Sequence, residues 1–409
     1  MGPVPGEERI QVIDVLRGVA LIGIITANMR AFFAPLPAYF NPSLLWTGTG
    51  DRIAQALIDC FVSGKFITLF ATLFGLGFAV QLSRAQLRGA GFAGFYSRRL
   101  AALLLFGVAH SFLIWWGDIL LGYALTGFPL ILFRKRAQKT VMIWAQAMYW
   151  LPMLFMIGFV IAVLFGAKIP TSPEPTSQTL QETIRIYSQG TWVEIFRKRA
   201  QEWAGVNVGF VFFFPRVLGM FLIGFWIWRT GILQDLAANL DRIRRAGRWG
   251  LAIGLPGNIA FVAINEIWRP NPMAASPLSV VAFLIASLAV PALSLFYASA
   301  VILLFQDERW RSRLSGFGAV GRMALTNYLL QSVACTTLFY SFGFGLYGAI
   351  GPLVGLIPTA LVYGVQVPFS AAWLRRFRYG PMEWVWRVMT YGKIPQPALR
   401  SASLPGPEA

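Results

Sequence analysis

Residues 14–28 read DVLRGVALIGIITAN, an apolar run that carries Asp14, Arg17 and Asn28. A helix turns about 100° per residue, so the steps from Arg17 to Asn28 return to within about 20° of the same face. Asp14 lies about 60° from Arg17 on that face, and the stripe is about 16 Å long at a rise of about 1.5 Å per residue. Ionisable groups inside a spanning helix cost several kcal/mol unless they face a bundle interior or a watery cavity. The run therefore predicts a membrane helix whose polar face points to a site.

The rest of the chain agrees with a membrane setting. Of 409 residues, 56% are hydrophobic and only 13% are charged, and 34 Phe and 15 Trp contribute to an aromatic share of 15%. Mean hydropathy is +0.60. Soluble domains hold about a quarter charged residues. Ten apolar segments are long enough to span: 12–30, 66–83, 98–115, 118–133, 140–165, 207–228, 249–268, 278–305, 320–343 and 347–373. The fourth is short and follows the third through a tight turn at Trp116 and Gly117. Pro152, Pro215, Pro256, Pro291 and Pro368 sit inside spans, as bundles tolerate where neighbours satisfy the freed carbonyls. The expected fold is an all-α polytopic bundle of about ten transmembrane helices, forming one integral membrane domain over 1–409.

A net charge of +18 suits nucleic acid, but its distribution does not. The positive residues crowd alternate connections, with Arg84, Arg88, Arg98 and Arg99 at the second and Arg134, Lys135, Arg136 and Lys139 at the fourth. Arg242, Arg244, Arg245 and Arg248 follow, then Arg309, Arg311, Arg313 and Arg322, then Arg375, Arg376 and Arg378. By the positive-inside rule both termini are cytoplasmic, and no nucleic-acid partner is expected. The expected location is a cytoplasmic membrane, with the lipid bilayer as the first partner. The polar start MGPVPGEERI and the absence of a small-residue cleavage site make the first span an uncleaved anchor.

One long extracytoplasmic loop, 166–206, opens on the turn-rich KIPTSPEPTSQT and continues as an amphipathic helical pattern. Two readings fit that helix: it lies on the outer membrane face, or it closes as a lid over an outward-facing site. A shorter helix around 50–63 precedes the second span in the same way. The tail 396–409 reads as disordered. No internal repeat is visible, which weakens an inverted-repeat transporter.

Residue counts narrow the chemistry. His110 is the one histidine, so bis-histidine haem, His-rich zinc and two-His iron sites cannot be built, and no metal site is expected. Asp14, Asp59, Asp118 and Glu266 all fall near span ends, which leaves a carboxylate proton relay without its middle. Cys60 and Cys335 stand far apart with no CxxC pair, and read as packing residues. His110 sits in GVAHSFLIWWGDILLGYAL, opposite Tyr123 across the turn, with Asp118 placed to cap the next helix. It is either a proton-transfer base oriented by Asp118 or Tyr123, or a buried histidine bonded to a carbonyl or to the Tyr123 hydroxyl. Arg216, deep in the sixth span beside Pro215, needs an anion, a carbonyl or an ion-pair partner. Lys65 at the outer end of the second span either snorkels to headgroups or binds substrate. Asn327, Gln331 and Ser332 form a second polar stripe, which interhelical hydrogen bonds alone would explain.

Five pieces in order, IDVLRGVALIGIITAN, GKFITLFATLFGLGF, RRLAALLLFGVAHSFLIWWGDILLGYAL, GRMALTNYLLQS and GPMEWVWRVMTYG, resemble the YeiB-like family of bacterial membrane proteins. That family is similar in turn to the transmembrane acyltransferases, whose first span carries an acidic residue and then Arg-Gly. The resemblance implies no bound cofactor, an acyl-CoA co-substrate from the cytoplasm, and a small-molecule or glycan acceptor. In the polysaccharide-modifying branch a catalytic histidine follows the arginine after ten residues; here that position is Asn28. The glucosaminide acetyltransferase branch has its histidine slightly further on, where this chain reads MRAFFAPLPAYFNP. The expected machinery is therefore His110 as base, with Asp118 or Tyr123 orienting it, and Asn28 as donor to an oxyanion. Asp14 and Arg17 would hold the donor, and Lys65, Arg216 and Asn327 would complete the binding residues. The alternative is a transporter or flippase for an anionic or lipid-linked metabolite. The sequence names no oligomeric state.

Overall fold

A computed structural model of the chain describes residues 11–89, 91–166, 176–267, 277–392 and 394. The tail expectation at 396–409 and most of KIPTSPEPTSQT lie outside the described residues. Every regular element among the described residues is helical. In order they are α1 (Gln11–Phe33), α2 (Leu36–Phe40), α3 (Thr49–Phe61), α4 (Lys65–Leu87) and α5 (Ala93–Ala109). Next come α6 (Leu120–Leu130), α7 (Gln138–Leu164), α8 (Ser177–Gln189), α9 (Trp192–Arg229) and α10 (Leu236–Ile267). The chain continues through α11 (Pro277–Leu304), α12 (Glu308–Arg322), α13 (Ala324–Phe339), α14 (Pro352–Arg376) and α15 (Pro381–Tyr391).

The ten apolar segments all overlap helices, the one at 320–343 straddling the break between α12 and α13. Six stretches among the described residues are long and apolar enough to cross a membrane: 11–33, 49–87, 93–114, 138–164, 277–304 and 352–376. The protein is an all-α polytopic membrane protein. Helix α6, with 11 residues, and α13, with 16, are shorter than the 17 or so that a lone crossing requires.

Helix α1 runs through the middle of the bundle. Two-thirds of its apolar window (67%) is buried, against 22% for α7 at the periphery. Of its polar stripe, Asp14 is buried while Arg17 and Asn28 are half-buried. Close approach of α12 makes this burial possible. A Cβ on Gly18 would stand 2.0 Å from the carbonyl oxygen of Phe317, and one on Gly321 1.8 Å from that of Asp14. Glycine at both crossings lets the two backbones touch, the small-residue packing that replaces hydrophobic collapse in membranes. The Gly of the Arg-Gly pair thus has a packing reason. The Tyr363 hydroxyl of α14 donates to the Gly18 carbonyl at 2.7 Å, tying a third helix to the same point.

The loop between the fifth and sixth apolar segments folds onto the protein. Thr176 caps α8 by accepting from the Thr179 amide, and Thr191 with Glu194 forms a capping box that starts α9. Leu180, Thr183 and Tyr187 of α8 are buried, and the Ser341 amide donates to the Tyr187 carbonyl at 2.8 Å. Helix α8 is thus packed against the protein through one face. Helix α3, as expected before α4, presents Ile53, Leu57 and Phe61 outward.

Candidate functional site

Helix α5 ends in a π-turn, His110–Ile114, after which Trp115 is extended. Single π-turns concentrate at functional sites because they re-aim one side chain. Trp115 locks this one in place: its Nε1 donates to the Ala31 carbonyl at 3.3 Å, and its ring stacks on Phe32 at 4.0 Å. The turn is thereby pinned to the end of α1.

Within the turn, His110 Nδ1 lies 2.8 Å from Asp118 Oδ1, and both side chains are buried. A carboxylate only accepts, so Nδ1 carries the proton and Nε2 is the lone-pair nitrogen. The other oxygen, Asp118 Oδ2, accepts from the Leu121 amide at 2.6 Å and caps α6. One carboxylate therefore fixes both the ring and the helix beyond it. His110 Nε2 is buried and has no hydrogen-bond partner. Of the two orienters expected for His110, Asp118 is the one in contact. Tyr123 instead donates its hydroxyl to the Ile67 carbonyl at 3.2 Å. Across the ring, Tyr328 of α13 lies 5.1 Å from His110 between centroids, and its hydroxyl accepts from the Ile119 amide at 3.2 Å.

Tyr328, Tyr123, Ile119 and Leu120 form the apolar end of a cavity of about 850 Å³. This volume lies in the ordinary range for small-molecule sites, about 300–1,000 Å³. From there the cavity runs to the end of the bundle that carries the basic loops. Nine arginines line it, among them Arg17, Arg99, Arg322 and Arg387, against two acids, Asp14 and Glu383. Asp14 is bound to Arg17 at 3.1 Å. Glu383 is buried and accepts from the amides of Leu325 and Thr326 at 2.7 and 3.1 Å, capping α13 from α15. Burial raises the Glu383 carboxyl above its ordinary range. With nine arginines against two acids, the lining is strongly positive. Like charges gathered in a cavity call for an anion.

Arg99 is held flat against the Trp386 ring, 3.6 Å from its centroid, while Trp386 Nε1 donates to the Arg99 carbonyl at 2.9 Å. This clamp joins α5 to α15. Sequence reasoning used Arg99 for topology alone and missed Tyr328, Glu383 and Arg387. The available signals were the GPMEWVWR start of a short helix after a basic loop and a tyrosine within GRMALTNYLLQS.

The other expected site residues lie apart. Asn28 is half-buried and does not line the cavity. Lys65 is fully buried at 0% exposure and donates to the Asp59 carbonyl at 2.6 Å, so it does not snorkel to headgroups. Arg216 donates to the Tyr149 hydroxyl at 2.8 Å and to Ser287 Oγ at 3.4 Å, a network among α7, α9 and α11. Asn327 donates to Ser370 Oγ at 2.9 Å and to the Val320 carbonyl at 3.2 Å. Gln331 donates to Gln366 at 2.9 Å. Two members of that stripe thus make interhelical bonds, while Ser332 donates within its own helix to the Tyr328 carbonyl at 3.4 Å. Cys60 and Cys335 are buried free thiols, as their packing reading implied.

Residues 227–393 match the family model described as a protein of unknown function, DUF418. Over 404 residues the chain is 36% identical to the uncharacterized protein YxaH of Bacillus subtilis (strain 168), covering 95% of this chain and 96% of that one. Over 401 residues it is 33% identical to the uncharacterized protein YeiB of Escherichia coli (strain K12), covering 94% and 96%. The chain belongs to the YeiB-like family. A third YeiB-like relative, an uncharacterized 39.9 kDa protein from the amylase 3′ region of Bacillus acidopullulyticus, is 30% identical over 401 residues, covering 96% and 97%. The model matched to the YeiB-like C-terminal half covers Glu383, Arg387 and Tyr328, while His110, Asp118 and Arg17 lie before it.

Proposed function

We propose that the protein is a membrane-embedded acyltransferase that takes its acyl group from acyl-CoA and passes it to an acceptor approaching from the opposite side. The observation that carries this reading is the His110–Asp118 pair, with Nε2 bare, behind Tyr328 at the apolar end of an arginine-lined cavity. The positive-inside rule puts the basic end in the cytoplasm, where acyl-CoA is made available. Arg17, steadied by Asp14, and Arg99 and Arg387 would bind the donor's phosphates, and the thioester would extend toward Tyr328.

In the reaction, His110 Nε2 takes the proton from the acceptor's hydroxyl or amine as that atom bonds to the acyl carbonyl carbon. Negative charge gathers on the carbonyl oxygen. The Tyr328 hydroxyl accepts from Ile119, so its own proton is available to that oxyanion. When the carbon–sulfur bond breaks, the thiolate leaves as CoA and receives the proton from His110. Asp118 holds the tautomer and stabilises the imidazolium in between. Asn28 has no part here because, among the described residues, no carboxylate is bonded to it as Asp118 is to His110.

The arginine cavity also favours one rival, transport of an anionic or lipid-linked metabolite without chemistry. Purified protein incubated with labelled acyl-CoA separates the two. The transferase releases CoA and labels an acceptor, and His110→Ala abolishes both. Substrate-dependent flux of an anion in vesicles, with no CoA release, overturns the transferase.

A further inference from the structure

A second buried polar centre lies on the side of the His110 turn away from the arginine cavity. Helices α8 and α9 and the segment after α13 meet there, at the end of the bundle where α1 finishes; the Gly348 amide donates to the Phe33 carbonyl at 2.8 Å. Arg199 of α9 is 1% exposed. Its Nη1 donates to the Phe112 carbonyl at 2.9 Å, within the same π-turn as His110. Its Nε and Nη2 have no partner. Its guanidinium lies 5.9 Å from the Tyr340 ring centroid. Tyr340 and Tyr347 are buried, and neither hydroxyl has a partner. Tyr187 joins them, with ring centroids 4.7 and 4.6 Å away. Its hydroxyl donates to Glu202 at 2.5 Å.

Four donor groups thus stand buried and unanswered in one aromatic-walled cluster. Each would cost about 1–3 kcal/mol if left so. Arg199 also has no carboxylate at salt-bridge distance among the described residues; Glu202, close enough to feel its charge, is hydrogen-bonded by Tyr187 instead. A buried guanidinium with no carboxylate hydrogen-bonded to it is costly to leave so. Water satisfies hydrogen bonds but supplies no charge. A carboxylate supplies both, accepting up to about four hydrogen bonds on two oxygens.

We propose that Arg199, Tyr340 and Tyr347 bind the carboxylate of an acidic acceptor and hold its hydroxyl or amine toward His110 Nε2. The acceptor role rests on the transferase reading above; binding of the carboxylate does not.

Isothermal titration of the purified full-length protein in detergent tests it, with D-glucuronate, succinate and D-glucose as probes. Saturable binding of glucuronate or succinate, with none of glucose, is expected. The first two arms separate a sugar acid from a plain organic acid. The Tyr340→Phe/Tyr347→Phe variant removes two unpartnered hydroxyls, so it folds with an undiminished melting temperature yet binds the acid about tenfold more weakly per hydroxyl. Arg199→Gln abolishes binding, and Arg199→Lys restores part of it. No acid binding to the parent, or equal binding to parent and double-Phe variant, overturns the proposal. Acid binding without CoA release from acyl-CoA sustains this site and refutes the transferase. CoA release without acid binding does the reverse.

Discussion

Asp118→Asn separates the chemistry of the dyad from its structural duty. The carboxylate does two things at once: Oδ1 receives the His110 Nδ1 proton at 2.8 Å and Oδ2 receives the Leu121 amide at 2.6 Å. An asparagine keeps the cap, since its amide oxygen still accepts from Leu121 and Asn caps about as well as Asp. Its NH₂ then faces Nδ1 and donates to it. That forces the ring proton onto Nε2, the atom that has to receive the acceptor's proton. The variant also loses the negative charge beside the imidazolium. Together these remove general-base catalysis, worth about 10²- to 10⁴-fold in kcat, while KM for the donor and the melting temperature stay near parental values. Asp118→Ala is the control. It drops the cap, about 1 kcal/mol, and leaves the buried Nδ1–H without an acceptor, about 1–3 kcal/mol more, so its melting temperature falls. The assay is CoA release under single-turnover conditions, paired with thermal unfolding in detergent. Parental kcat in Asp118→Asn would refute the base assignment, and an Ala-like loss of stability would refute the division of labour between the two oxygens.

Further expectations follow from other parts of the molecule. Arg387→Ala and Arg99→Ala each raise the donor KM with little change in kcat, because they act where ground state and transition state bind alike. The donor KM of the parent rises with ionic strength, as the arginine excess predicts, and does so less steeply in either variant. Gly321→Val, whose Cβ would sit 1.8 Å from the Asp14 carbonyl oxygen, forces α1 and α12 apart and costs about 1–3 kcal/mol or more in thermal unfolding. Glu202 lies before the sixth apolar segment, and burial pushes its carboxyl up to about 7, against the Tyr187 hydrogen bond and the nearby Lys198 and Arg199. A carboxyl raised in the folded state binds its proton more tightly there than in the unfolded chain. Stability is then fully present below about 4.5 and falls as pH rises toward 7, by about 3 kcal/mol. Glu202→Gln flattens that slope, and an unchanged slope would refute the assignment.

The fold was legible because apolar length and basic loops are one-dimensional signals. The apolar segments fall on helices, and the polar stripe on α1 holds one buried residue, Asp14, with Arg17 and Asn28 half-buried. Local chemistry was legible where the partners were close in sequence: Asp14 with Arg17, and His110 with Asp118 across eight residues. Distant partners were not. Lys65 and Arg216 read as ligands because nothing in the sequence shows that a backbone carbonyl and the Tyr149 hydroxyl receive them. Asn327 shows the same limit, since its partner Ser370 lies on another helix. Tyr328 and Glu383 were missed for the opposite reason: their roles exist only where α13 meets α6 and α15.

The geometry also accounts for the asparagine at position 28 under the transferase reading. A base on α1 at that position would sit one turn before Ala31, since three residues rise about 4.5 Å. Trp115 pins the His110 turn to the Ala31 carbonyl and the Phe32 ring, so the histidine on α5 is attached to α1 near the level where the resembling families carry theirs. What differs is the helix that bears the base and the way it is oriented. A base on α1 would need an orienter from a neighbouring helix. The π-turn supplies one from eight residues away, on the carboxylate that already caps α6. Restoring a histidine at Asn28 in a His110→Ala background tests the argument. If depth alone decided catalysis, Asn28→His would rescue CoA release. Because no carboxylate is bonded to position 28 among the described residues, no rescue is expected, and recovery of activity would show that the orienting carboxylate is dispensable.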